Sequence, residues 1–239
     1  MSHESNIQAI KSLLNDSYER KETRGVPKRS DLTFGNTLTR MPHAVVMYVD
    51  MRGSRKLLSK TTAFVSVKAH RSFLQAIVYC VEGRDGHFRS FNGDGALSFF
   101  VGENAASRAV RAAMDLKAYV RQINALLAKK HGVKIDFGVG IGQGKVDVAK
   151  SGKRGDDTTK QDLVWVGIPV YVAVALSDLA GEPSHIWISP HVRKSIGKEG
   201  YKPDVVHHNE KSMWKRTTTQ LKSAGKYDVR HTTFFSGIF

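Results

Sequence analysis

Ala44-Val45-Val46-Met47-Tyr48-Val49-Asp50-Met51-Arg52-Gly53-Ser54 is the stretch from which the fold can be read. The residues before Asp50 are apolar and rich in valine, too apolar for a surface loop. They predict a buried strand carrying the Asp50 carboxylate at its edge. A carboxylate there is costly unless something positive pairs with it. Further on, Phe88-Arg89-Ser90-Phe91-Asn92-Gly93-Asp94-Gly95 leads into a second apolar run, which predicts a β-hairpin with Asp94 at its tip. Either acid alone fits ordinary turn chemistry. Two of them at strand ends suit Mg²⁺ or Mn²⁺, hard cations that take oxygen ligands and bridge phosphates.

The spacing around these acids sets the rest. A helix is expected over residues 61–81 from the repeat of Phe64, Val67, Leu74, Ile77, Val78 and Val81, and a longer one over 104–130. Residues 133–142 alternate apolar side chains with glycines, the pattern of a strand entering a tight turn, and 143–146 continue as a second strand. A polar loop over 151–160 precedes a short strand at 163–166 and a helix opened by Gly167-Ile168-Pro169. A strand at 186–189, a short helix at 190–196 and a last strand at 227–230 complete the pattern. Strand, helix, hairpin, helix, strand is the βαββαβ order of an α+β, ferredoxin-like (palm-type) core, here with added strands and helices. Fold alone does not give function. Residues 1–40, with a weak amphipathic helix around Ile7, Ile10, Leu13 and Leu14, read as a basic N-terminal arm. Residues 41–239 read as one domain ending in a basic segment.

Lysine and arginine number 37 against 22 acidic residues among 239, a formal net charge of +15 that attracts polyanions. Much of it clusters at 21–29, 150–154 and 211–226, in segments that read as solvated arms and loops. No apolar run has the length of a membrane span or the flanks of a secretory signal, so a cytoplasmic protein is expected. The lone Cys80 falls on an apolar helix face and reads as packing, as does His70.

The motifs V-x-M-Y-V-D-M-R-G-S, F-N-G-D-G, G-V-G-I-G-Q-G-K-V and V-G-I-P-V-Y-V-A, in this order, resemble those of class III nucleotidyl cyclase catalytic domains over roughly residues 42–196. That resemblance implies a homodimer with active sites shared at the interface, converting a nucleoside triphosphate to a 3′,5′-cyclic nucleotide and pyrophosphate. It implies two Mg²⁺ or Mn²⁺ ions per active site, held by Asp50, Asp94 and the Met51 carbonyl. It implies a phosphate-cradling turn through Arg52, Gly53 and Ser54, with Gly53 small enough for close backbone approach. Lys145 matches a basic phosphate contact on the protomer that supplies the metals, or is an exposed strand-end lysine.

The chain departs from the purine cyclases of that family. Ser90 stands where they carry a base-reading lysine, and Val164, beside Trp165, where they carry an aspartate or threonine. Tyr171 and Ala175 replace the asparagine and arginine that orient the ribose and stabilise the transition state. A lost polar partner can change base preference by orders of magnitude. The pattern is instead similar to the bacterial pyrimidine cyclases of Pycsar antiphage systems. There, Tyr48 would occupy space that a purine needs, unless it only fills the strand core. Arg52 and Arg89 are candidates for the missing arginine, or are solvated surface residues.

The expectation is therefore an enzyme, a uridylate or cytidylate cyclase acting on UTP or CTP. Its product would be a second messenger for a separate effector in antiphage defence, with no membrane and no obligatory nucleic acid partner. An adenylate cyclase is the nearest alternative, and a catalytically silent nucleotide- or nucleic-acid-binding module a second. A diguanylate cyclase or palm polymerase would need a G-G-D/E-E-F signature, which is absent.

Overall fold

The computed structural model describes residues 2–196, 213–221 and 225–233; most of the basic C-terminal segment lies outside them. In chain order the elements are α1 (His3–Asn15), β1 (Glu19–Glu22), β2 (Thr37–Arg52), α2 (Ser54–Lys60), α3 (Ala63–Glu82), β3 (His87–Asn92), β4 (Gly95–Phe100), α4 (Ala105–His131), β5 (Asp136–Gly152), β6 (Gln161–Val166), α5 (Ile168–Leu179), β7 (Ile186–Ile188), α6 (Pro190–Ser195), β8 (Lys215–Leu221) and β9 (Gly225–Thr232). The sheet runs β3-β4-β2-β5-β7-β9-β8, with β1 parallel to the start of β2 and β6 against the end of β5. Its first four strands have the ferredoxin-like order, the hairpin lying beside the first strand and the fourth on that strand's other side.

Two layers of helix explain why β2 reads as a continuous apolar run. Val45, Met47, Val49 and Met51 face α3 and α4, while Ala44, Val46 and Tyr48 face α5. Asp50, of the same parity as Tyr48, therefore belongs to the α5 face. The strand is longer than its apolar stretch, because residues 37–41 are held by β5 and β1 rather than by hydrophobic burial alone.

The helix expected over 61–81 is α3, preceded by the short separate helix α2 and opened at Thr62, whose hydroxyl caps it by accepting from the Val65 N–H. Two expectations are corrected. Phe64 and Val67 are 81% and 55% exposed rather than buried. The packed face of α3 is Ser66, Ala69, Phe73, Ala76, Ile77, Cys80 and Val81, whose small members admit the alanine-rich α4. Finally, β5 makes no tight turn at its glycines. It is one strand, and Gly138, Gly140 and Gly142 lie under α5, where a Cβ would meet Ser177 O, Ala173 O and Pro169 O at 2.2, 1.9 and 2.4 Å. Two strand residues advance about 6.6 Å and four helix residues about 6.0 Å, so alternate glycines stay in step with every fourth residue of α5. That match brings the α5 backbone down onto the sheet.

Candidate active site

The strand β2 and the β3–β4 hairpin bring Asp50 and Asp94 together. Antiparallel pairing sets Val49 opposite Ala96 and Asn92 opposite Gly95, which puts the hairpin tip beside the end of β2. Gly95 makes the fit possible: a Cβ there would lie 2.8 Å from Tyr48 Oη, 2.9 Å from Asp50 Oδ1 and 2.9 Å from Val49 O. The Tyr48 hydroxyl and the Asp50 carboxylate thus border one small space. Asn92 Nδ2 donates to Tyr48 Oη at 3.3 Å and orients the phenol, leaving its own proton directed elsewhere.

The electrostatics are those of clustered acids. Burial pushes the Asp50 carboxyl above its ordinary range, Asp94 and Asp178 push it further, and Arg52 and the Met51 N–H only partly oppose them. Burial also raises the Tyr48 phenol; the Asn92 hydrogen bond opposes this, and Asp50, Asp178 and Asp94 reinforce it. Neither Asp50 nor Asp94 has a salt bridge among the described residues. Oxygen donors in mutual repulsion and without a paired cation fit Mg²⁺ or Mn²⁺.

A stability test follows. Protonating Asp50 relieves the repulsion, so the metal-free fold keeps this contribution below the ordinary carboxylate range and loses it as pH rises through the raised value. In EDTA at neutral pH, Asp50→Asn is expected to melt no lower than the parent and up to about 2–4 °C higher, the shift of roughly 1 kcal/mol in a chain of this size. Mn²⁺ should raise the parent's melting temperature and leave that of Asp50→Asn unchanged. A scanning-fluorimetry pair in which both respond equally would place the ion elsewhere.

The other site candidates are dispersed. Arg52 Nε donates to Ala180 O at 2.8 Å and its Nη2 to Ser177 O, so the guanidinium caps the end of α5 instead of standing open to phosphate. Arg89 sits at a bulge in β3 and donates to Pro27 O at 2.8 Å, Val26 O at 2.5 Å and Phe88 O at 2.7 Å. It ties the N-terminal segment to the hairpin. Ser90 pairs with Leu97 within the sheet, and Gly53 is left-handed at φ 66° ahead of Ser54. Gly144 pairs with Ala44, six residues before Asp50, so Lys145 lies roughly 20 Å along the strand from that acid. Trp165 packs on Phe99 at 4.3 Å, whereas Val164 and Tyr171 are 48% and 47% exposed.

Three residues near the acids carried no functional reading in the sequence: Asn92, Gly95 and Asp178. Asn92 and Gly95 lay within the quoted N-G-D-G turn but resembled plain turn residues. Asp178 had no local signal, because only the seating of α5 carries it near Asp50. Elsewhere, the ligand atoms of Asp136, Glu182 and His185 lie within 4.8 Å of one another, close enough to share a cation. His185 Nε2 is 2.9 Å from Asp136 Oδ1, and its buried Nδ1 has no partner. A metal on Nε2 would force the proton onto Nδ1, where nothing accepts it. A proton on Nε2, shared with Asp136, leaves only a bare lone pair inside and is the better arrangement.

No protein-family model matches the chain. Over 214 residues it is 27% identical to a uridylate cyclase of Burkholderia cepacia, covering 84% of this chain and 90% of that one. Over 213 residues it is 28% identical to a uridylate cyclase of Xanthomonas perforans, covering 86% of each. Among solved structures it is similar to the guanylyl cyclase Cya2, with TM-score 0.67, 20% identity and coverage of 84% and 95%. The adenylyl cyclase CyaB from P. aeruginosa superposes with TM-score 0.65, 17% identity and coverage of 82% and 95%. The fold is that of the class III cyclase catalytic domains.

Proposed function

We propose that this nucleotidyl cyclase acts on a pyrimidine nucleotide, converting UTP or CTP to the 3′,5′-cyclic nucleotide and pyrophosphate. The observation that carries the proposal is the unpaired Asp50–Asp94 couple bordered by the Tyr48 hydroxyl. The relatives named uridylate cyclase support it across most of the chain. Asp50, Asp94 and the Met51 carbonyl would hold two Mg²⁺ or Mn²⁺ ions. Once bound, such ions supply activation of the ribose 3′-hydroxyl and neutralisation of charge on the phosphates.

The chain's own residues do the rest by position. Tyr48, fixed by Asn92, narrows the space beside the acids, and Gly95 keeps that space from closing. Arg52 holds the end of α5, and with it Asp178, against the turn that follows Asp50. Gly53 and Ser54 would present backbone N–H groups to phosphate. Ser90, Val164, Trp165 and Lys145 remain substrate-facing assignments, and Arg89 and Tyr171 catalytic ones, only if a second copy or a rearrangement brings them in.

A homodimer supplies that second copy. Tyr171 precedes Asp178 by seven residues on α5, about 10 Å of helix. The Val164–Tyr171 group and the metal acids therefore lie toward opposite ends of α5, and a site shared in a dimer would set one chain's Val164–Tyr171 group against its partner's acids. Val164, Val166, Ile168 and Tyr171 form an exposed apolar patch at the N-terminal end of that helix, as an interface would require. The cyclic product would act on a separate effector, in antiphage defence as the Pycsar resemblance implies. No helix among the described residues is long and apolar enough to cross a membrane.

Purified protein with Mn²⁺ and each of the four nucleoside triphosphates, scored chromatographically for cyclic nucleotide and pyrophosphate, tests the proposal. Cyclic product from UTP or CTP at least about tenfold faster than from ATP or GTP is expected. Product from ATP alone makes the chain an adenylate cyclase. No product from any of the four, with the protein folded and dimeric, leaves a binding module, as Tyr171 and Ala175 in place of polar groups would favour.

A further inference from the structure

A cleft of about 1040 Å³ opens between α2, the C-terminal half of α4 and the start of β5, on the far side of the Arg52–Gly53 turn from the paired acids. Its rim carries six cationic side chains, Arg52, Lys56, Lys60, Lys117, Arg121 and Lys134, against two carboxylates, Asp136 and Glu182. Arg52 is committed to α5, and Lys117 donates to Thr233 O and lies near Glu182. Lys56, Lys60 and Lys134 are exposed and make no ion pair or hydrogen bond through their side chains among the described residues. The floor is apolar, formed by Leu57, Val120, Ile135 and Phe137.

Lysines on a convex helix face are ordinarily solvated and need no ligand. These converge from two separate elements, α2 and the α4–β5 connection, on one concavity with an apolar base. A concavity with an apolar base and a few convergent polar groups is the general form of a small-ligand site.

We propose that this cleft binds a small polyphosphate anion, its phosphates on Lys56, Lys60 and Lys134. A nucleoside triphosphate would in addition rest its base on the apolar floor. The site shares the Arg52–Gly53 turn with the one at Asp50 and Asp94 but takes its phosphates on other side chains, so it does not rest on the function assigned there. Because Arg52 and Gly53 line it, an occupant would bear on the turn that immediately follows Asp50. A concavity rather than an extended stripe, without an aromatic stacking platform, favours a small anion over a nucleic acid strand.

The test uses the full chain carrying Asp50→Ala and Asp94→Ala, in EDTA, so that metal-held triphosphate cannot contribute. Inorganic tripolyphosphate and UTP are titrated by calorimetry, with a single-stranded oligonucleotide as the third arm. Saturable binding of tripolyphosphate is expected, weakened at least about tenfold by Lys60→Gln with Lys134→Gln, since charge-assisted contacts to phosphate are the strong ones. Lys68→Gln with Arg71→Gln, on the exposed face of α3, matches the charge removed and should change affinity less than about twofold. Tighter binding of UTP than of tripolyphosphate identifies a nucleotide as the occupant, and equal binding the polyphosphate chain alone. Absence of binding by both, equal losses in the two charge-matched variants, or binding of the oligonucleotide alone would each overturn the proposal. Circular dichroism melts of all variants keep the comparison among folded proteins.

Discussion

Alanine at Asp50 or at Asp94 should lower turnover of the preferred nucleoside triphosphate at least about a thousandfold, roughly 4 kcal/mol of transition-state stabilisation. The physical case differs for the two acids. Asp50 stands at the end of a buried strand where burial and its acidic neighbours disfavour its charge more than Arg52 and the Met51 N–H favour it, so the fold on balance does not reward keeping it. Asp94 lies at a half-exposed hairpin tip behind a left-handed Gly93, φ 66°, and the turn does not need its carboxylate. Neither substitution should therefore cost stability. Loss of activity with an unchanged or raised melting temperature separates a metal-binding role from a structural one. Product formation by steady-state chromatography, read beside thermal melts, decides it, and retained turnover in both variants would remove the metal assignment.

The sequence exposed those acids because each sits where local signals change, from an apolar run to a small-residue turn. The βαββαβ order was legible for the same reason: β2, α4 and the hairpin carry their periods without help from tertiary structure. Side-chain destinations were less so. Arg52 and Arg89 looked like free guanidinium groups, but apart from the adjacent Phe88 O their partners are backbone carbonyls of residues more than sixty positions away, which no local pattern discloses. Asp178 was invisible for a related reason, since its relation to Asp50 exists only once α5 has docked. The α3 face was misread at Phe64 and Val67 because hydrophobicity was taken as the guide, whereas small residues facing α4 select the buried side. β1 and β8 are polar strands, β1 held by pairing and β8 adding only Leu221 to a small apolar cluster, and left no apolar period to find.

Gly140→Ala is expected to destabilise the fold by about 3 kcal/mol or more, a melting temperature lower by roughly 6–12 °C, and to abolish activity with it. The added Cβ would stand 1.9 Å from Ala173 O, 2.5 Å from Ser177 N and 2.8 Å from Leu176 Cβ. Two of those atoms are backbone, so no rotamer change relieves the contact and α5 has to lift. Its neighbours forbid an easy lift: Ala173, Leu176 and the β5 residues Val139 and Ile141 are fully buried, and Arg52 is bonded to carbonyls at the helix end. Displacing α5 moves Asp178 away from Asp50 at one end and the exposed Tyr171 at the other, so both halves of the proposed site are lost at once. Gly35→Ala provides the contrast, since a Cβ there meets nothing within 4 Å; it should stay within about 0.5 kcal/mol of the parent. Urea titrations of the two variants measure the difference. Similar stabilities would mean that α5 yields without cost, and that the helix-to-strand match of glycines with Pro169, Ala173 and Ser177 does not hold the site together.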